Sequence, residues 1–196
     1  MRKGEATRER ILEEAARQAA ARGLGGVSLN DVAGAVGISK SGLFKHFDSK
    51  EAMQHAVIER EAASFVAGVW EPAAGLPAGR GRLEAIFERW LDRAETAGAP
   101  GGCLIMAANA EFDDQPGPLR DLLQANLRRW EKTVVHEFMA LTDPPLAKDQ
   151  AALAAFQMKS FVLGHNETRR MLEDQGARRM ARAVFQSLLD RVAPRA

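Results

Sequence analysis

The 196-residue chain predicts an all-α protein, and three observations carry that prediction. Apolar residues recur at three- and four-residue spacing along most of its length, the spacing that lines one face of a helix. Glycine- and proline-rich stretches cut this pattern, among them residues 72–81, 98–102 and 116–118. Between Ser28 and Phe47 two short amphipathic segments stand back to back, broken at Gly37. The architecture predicted is an N-terminal three-helix domain containing a helix-turn-helix, joined by a fourth helix to a second helical domain.

The first helix is expected from about Thr7 to Arg22, with Ile11, Leu12, Ala15, Ala16 and Ala19 inward, and Gly23, Gly25 and Gly26 end it. In the second, Leu29, Val32, Ala33 and Val36 form one apolar face, and Ser28 and Asp31 have capping-box spacing. Gly37 supplies the positive φ that stops it. Ser39 then starts a third helix, in which Leu43 and Phe47 lie four apart and pack with Ile38 onto the second. Stepping 100° per residue from that buried face turns Ser41, Gly42, Phe44 and Lys45 outward. A hydroxyl, a gap, a ring and an ammonium on an outward helix suit a major groove, where recognition-helix residues reach base edges.

These residues resemble the DNA-binding domain of the TetR family of transcriptional regulators. The likeness covers residues 5–65, about a third of the chain, with the motif at 28–47. It rests on the helix Thr7-Arg8-Glu9-Arg10-Ile11-Leu12-Glu13-Glu14-Ala15-Ala16 and on the string Gly42-Leu43-Phe44-Lys45-His46-Phe47-Asp48-Ser49-Lys50-Glu51. The resemblance implies a recognition helix at about 39–46, which adds Ser39, Lys40 and His46 to the DNA-contacting positions. It also implies phosphate contacts from Lys50 and from the start of helix two near Ser28. Phe44 replaces the family's frequent tyrosine, so a hydroxyl contact to phosphate is lost, although its ring can still meet a thymine methyl.

Composition is consistent with this. At 46% hydrophobic the chain can bury a real core. Net charge is only +1, but in residues 1–50 Lys and Arg outnumber Asp and Glu by nine to six, and the rest of the chain is slightly acidic. The N-terminus lacks the apolar run of a signal peptide, and no stretch is long and uncharged enough to span a membrane, so a cytoplasmic protein is expected. A single cysteine forms no internal disulfide, no His/Cys set has zinc-site spacing, and no cofactor is implied. The carboxylates and four histidines form no arrangement of nucleophile, base and orienter, so no enzyme is expected.

Residues 66–196 read as a second helical domain. Helix four, starting at Ser49, is expected to run past Phe65 to Trp70, where Pro72 stops it. A stripe of Leu83, Ile86, Phe87, Trp90, Leu91 and Ala94 follows, then a short buried helix from Cys103 to Phe112. Leu119, Leu123, Leu127, Trp130, Val134, Phe138 and Leu141 mark a long helix closed by Pro144 and Pro145, and two final helices span about Lys148–Asp174 and Ala177–Val192. The resemblance implies that this region encloses a small-molecule pocket and pairs two subunits through its last two helices. The ligand expected is small and apolar or amphipathic. Candidate lining residues are Phe65, Val69, Trp70, Phe87, Trp90, Met106, Asn109, Asn126, Trp130, Phe161 and His165, with Glu111, His136, Gln157 and Asn166 as further polar groups. Aromatic stripes at helical spacing also fill plain cores, so each ring has that alternative. Cys103 is either a thiol sensor or a small buried hydrophobe.

For pairing, Met180, Val184, Leu188 and Val192 repeat every four residues, while Leu163, Glu167, Met171 and Leu172 extend a face on the preceding helix. Paired heads would read an inverted repeat of double-stranded DNA. The function implied is a sequence-specific DNA-binding repressor released from its operator by a ligand. The alternative is an architectural DNA-binding protein without ligand control.

Overall fold

The computed structural model describes residues 3–96 and 102–194, and the described elements are all helices. They are α1 (Lys3–Arg22), α2 (Leu29–Val36), α3 (Lys40–Phe44) and α4 (Lys50–Phe65), then a π-helical turn (Val66–Trp70). These are followed by α5 (Glu71–Ala74), α6 (Arg80–Thr96), α7 (Leu104–Glu111), α8 (Pro118–Met139), α9 (Lys148–Met171) and α10 (Ala177–Val192). Most of the expected glycine and proline break at 98–102 lies outside the described residues.

The chain divides into two compact units, one of residues 1–64 with 96–126, the other of 65–95 with 127–196. This differs from the division read in the sequence, which gave all of 66–196 to one domain. Residues 104–126 join the first unit because Leu104, Ala108, Leu119 and Leu123 are buried in the same cluster as Ile11, Val32, Leu43, Met53 and Val57.

Within the first unit the local signals act as their chemistry dictates. Ser28 sits in extended backbone and its Oγ accepts from Asp31 N, while Gly37 at φ 76° ends α2 with its N–H turned back to the carbonyls of Ala33 and Gly34. Ser39 caps α3 by accepting from Gly42 N at 3.1 Å, and Ser49 caps α4 by accepting from Ala52 N at 3.0 Å. Leu43 and Phe47 are buried and anchor α3, whereas Ala16 and Leu29, expected inward, are only partly covered. α1 begins four residues earlier than expected, with Glu5 in its first turn where a carboxylate complements the helix dipole. α3 is shorter than the expected 39–46 and leaves α-helical pairing at Lys45.

Three further expectations are corrected. Pro72 does not end the helix after Trp70, because it falls in the first turn of α5, where a missing N–H is tolerated, and the π-helical turn before it has already shifted the hydrogen-bond register. α7 is not buried all round; Ala107 and Ala110 face solvent while Leu104 and Ala108 face the core. α8 stops at Met139, before Leu141.

In the second unit, α6 contributes the predicted stripe: Leu83, Ile86, Phe87, Trp90, Leu91 and Ala94 are all buried. Phe87 stacks on Phe185 of α10 with centroids 4.0 Å apart. Arg80 ties the same two helices together through Glu84, Gln186 and Asp190.

Candidate nucleic-acid interface

The outward face of α3 follows from its inward one. With Leu43 fully buried and Phe47 nearly so, the chain leaves Lys40, Ser41, Phe44 and Lys45 exposed, and Gly42 and His46 half-covered. Phe44 keeps 39% of its surface in water. One apolar ring and two ammonium groups are thus left open on α3 and its C-cap. Ser39 serves a different purpose from the one expected of it, since its Oγ is occupied by the Gly42 amide and lies 3.0 Å from Ser41 Oγ. Gly42 is equally a matter of the cap: a Cβ there would stand 3.2 Å from that same oxygen.

Around α3 the flanking cations are held in place. Lys50, expected on phosphate, donates its ammonium to the Gly25 carbonyl, and buried Gln54 donates to the Leu24 carbonyl at 2.9 Å. Ser28, half-buried, engages its own helix. Arg8, which the sequence reading passed over as a candidate, is exposed and lies over the Phe47 ring, 5.0 Å from its centroid. Its signal was the charge surplus of the first fifty residues. Arg10 is engaged elsewhere, donating to Val36 O at 2.8 Å.

The expected ligand-lining residues divide between the two units. Met106, Asn109 and Asn126 belong to the first, and the remainder to the second. In the second, Phe65, Trp90 and Trp130 meet edge to face, with centroids 4.9 to 5.8 Å apart. Trp130 Nε1 is buried without a hydrogen-bond acceptor. A depression lined by Trp90, Leu127, Trp130, Val134 and Phe156, among others, has a volume of about 10 Å³, room for a water and no more. Phe87 is plain core, as is buried Val69; Trp70 and Phe161 are half-buried. Glu111 does not serve as a pocket group, since its carboxylate accepts from Leu24 N and Gly25 N, and Gln157 accepts from Arg191. His136 is exposed.

His165 is buried on α9, its Nε2 3.0 Å from Glu95 Oε1 and its Nδ1 unpartnered. Burial pushes its pKa below the ordinary imidazole value, with the Glu95 carboxylate opposing. Beside it Arg178 bridges Glu95 and Glu88, and Arg182 forks onto Glu88, whose carboxyl is held below its usual range chiefly by that Arg182 hydrogen bond. Buried Cys103 sits at the start of α7. Among the described residues no three His, Cys, Asp or Glu gather as a metal site, and no helix is long and apolar enough to cross a membrane.

The face expected to pair subunits is only partly the one left open. Met180, Val184, Leu163, Met171 and Leu172 are exposed, and so are Leu153 and Phe156, which the four-residue repeat of α10 did not include. Leu188 is instead 1% exposed, turned into the chain's own core, and Val192 is half-buried.

Two capped helices meeting at a left-handed glycine, the second anchored inward and open outward, define a helix-turn-helix DNA-binding protein. Comparison with known proteins gives the family. Residues 11–57 match the family of bacterial regulatory proteins typified by tetR, and residues 79–185 match the tetracyclin repressor-like C-terminal domain. The chain belongs to the TetR family of transcriptional regulators.

An uncharacterized HTH-type transcriptional regulator of Mycobacterium tuberculosis is 34% identical over 79 residues, 37% of this chain and 39% of that one, so the match spans well under half of that relative. The HTH-type transcriptional repressor NemR of Escherichia coli is 27% identical over 126 residues, 62% of each chain. Among solved structures, a TetR-family regulator from Streptomyces coelicolor superposes with a TM-score of 0.85 at 19% identity, over 96% of this chain and 97% of that one. A TetR regulator from Chloroflexus aurantiacus does so with a TM-score of 0.80 at 26% identity, over 96% and 95%.

Proposed function

We propose that this regulator is a repressor that binds an inverted-repeat operator as a homodimer and lets go when a small apolar or amphipathic molecule enters its C-terminal unit. The observation that carries the reading is the solvent-open set Lys40, Ser41, Phe44 and Lys45 on a helix whose other face is locked into the core. Lys45 and Ser41 would read base edges, Phe44 would meet a thymine methyl, and Lys50 and Ser28 would hold phosphate. The exposed apolar residues of α9 and α10 support pairing of two copies. Trp90, Trp130 and Phe65, with the unpartnered Trp130 N–H, support a ligand site. AibR, a structural neighbour with a TM-score of 0.72 at 18% identity, was crystallised with isovaleryl coenzyme A and operator DNA. Chain continuity through α4 and the π-helical turn offers a route by which a ligand near Phe65 biases the head.

Selection from a random duplex pool followed by footprinting tests the proposal, with a two-fold symmetric protected site as the expected result. Uniform protection of all sequences would establish an architectural DNA binder instead. Screening compounds that shift tryptophan fluorescence then supplies ligands, and operator affinity unchanged by every one of them would remove the ligand control.

A further inference from the structure

The loop between α1 and α2 is gripped from two directions. Glu111 of α7 places one carboxylate oxygen 2.7 Å from Leu24 N and the other 2.7 Å from Gly25 N. From α4, Gln54 and Lys50 donate to the carbonyls of the same two residues. Leu24 and Gly25 therefore each have both N–H and C=O matched by side chains remote in sequence. The bonds of Glu111 and Lys50 are charge-assisted, a kind about twice as strong as neutral ones.

The glycines make the grip possible. A Cβ at Gly25 would stand 2.7 Å from Glu111 Oε1, and the next nearest atoms would be 3.8 Å or more away, so the approach of the carboxylate is what excludes a side chain there. Gly25 has no left-handed backbone to explain it, unlike Gly23 at φ 79°. At Gly23 a Cβ would also meet the same carboxylate, at 3.1 Å.

We propose that Glu111 is a positioning residue for DNA binding. It touches no DNA; its carboxylate latches the 23–27 loop, which leads directly into the Ser28 cap of α2 and supplies the carbonyl that anchors Lys50. With the latch closed, both phosphate-facing groups are held before DNA arrives. With it open, two amides lose their acceptor and the loop must be ordered on binding, at the expense of affinity. The inference rests on the DNA-reading head proposed above and is independent of ligand control.

A double-mutant cycle tests it, using Glu111→Ala, Gly25→Ala and the two combined in the full chain. Affinity is measured for the duplex the parent selects and for mixed-sequence duplex at low salt, alongside hydrogen exchange at the Leu24 and Gly25 amides. Each single variant is expected to speed exchange at both amides and to weaken selected-duplex binding about tenfold, ~1.4 kcal/mol. The double variant should be no weaker than Glu111→Ala alone, because both changes remove the same contact. Losses that multiply in the double variant would overturn the proposal. So would faster exchange with unchanged DNA affinity, the outcome of a purely structural role. Should Glu111→Ala fail to fold, Glu111→Gln, which keeps one acceptor oxygen, takes its place in the cycle. If the parent selects no duplex, the operator reading fails by itself, and the same cycle on mixed-sequence DNA decides the latch.

Discussion

The loop between α1 and α2, in the first unit, and the aromatic interior of the second treat their polar groups in opposite ways. In the loop, Leu24 and Gly25 each have N–H and C=O matched by Glu111, Gln54 and Lys50. In the second unit, Trp130 Nε1, His165 Nδ1 and Asn166 Oδ1 are buried without a partner. A satisfied network rigidifies, whereas an orphaned donor lowers stability until something arrives to accept from it. Under the proposed function, the difference is that between a surface built in advance for its target and an interior that a ligand completes.

The comparison breaks most readily at the anchor of the head. Leu43→Ala removes a fully buried side chain and should cost about 2–5 kcal/mol, read as a drop in the thermal midpoint. A loss well under 1 kcal/mol would mean that α3 is not held by its inward face. Next in size are the proposed DNA contacts. Lys45→Ala should lose roughly 1–3 kcal/mol of discrimination between selected and random duplex, while Lys50→Ala should weaken both alike and reduce the salt slope by about 0.9. Undiminished discrimination in the Lys45 variant would move base reading elsewhere on α3.

A milder change sharpens the other side of the comparison. Trp130→Phe keeps a ring against Phe65 and Trp90 but removes the orphaned N–H. We expect the free protein to keep or slightly gain stability and the affinity for its ligand to fall, measured by calorimetry on a compound that shifts operator binding. Lower stability with undiminished ligand affinity would return Trp130 to ordinary core.

The smallest effect concerns pH. Because burial lowers the His165 pKa in the folded state, the unfolded chain binds the proton more readily, and stability must fall as pH drops from about 6.5 toward the folded value. Glu88, held ionised by Arg182 and Arg178, adds a further loss at lower pH as its carboxylate protonates. Denaturation midpoints of His165→Gln should decline less than those of the parent between pH 6.5 and 5, and parallel decline would place the sensitivity in another group.

What the sequence disclosed about this molecule was what is local along it. Ser28, Gly37, Ser39 and the pair Leu43 and Phe47 act over at most four residues, so their spacing alone placed two caps, a left-handed turn and the buried face of α3. Glu111 was read as a polar residue for a ligand because nothing near it in the chain announces the loop 86 residues away that it holds. The clustered glycines at 23, 25 and 26 were legible as a helix end but not as a cradle, since glycine marks a need for room without saying what fills it. Leu188 failed for a related reason. Its four-residue spacing with Val184 is genuine, yet a regular row on a long helix drifts around the axis, and only packing decides where it passes from the surface into the core. Pro72 obeyed its chemistry once the π-helical turn had moved the register in front of it, a displacement that no side chain in the sequence advertises.

The division of labour within α3 bears on how such a regulator acquires a new address. Ser39 and Leu43 keep the helix in being, and Lys40, Ser41 and Lys45 carry nothing of the core. Substitutions at solvent-facing positions of this kind ordinarily change stability by less than about 0.5 kcal/mol. If those positions read the operator as proposed, it can be rewritten there while the scaffold is inherited unaltered, so duplicated copies of the gene can diverge in target long before they diverge in fold.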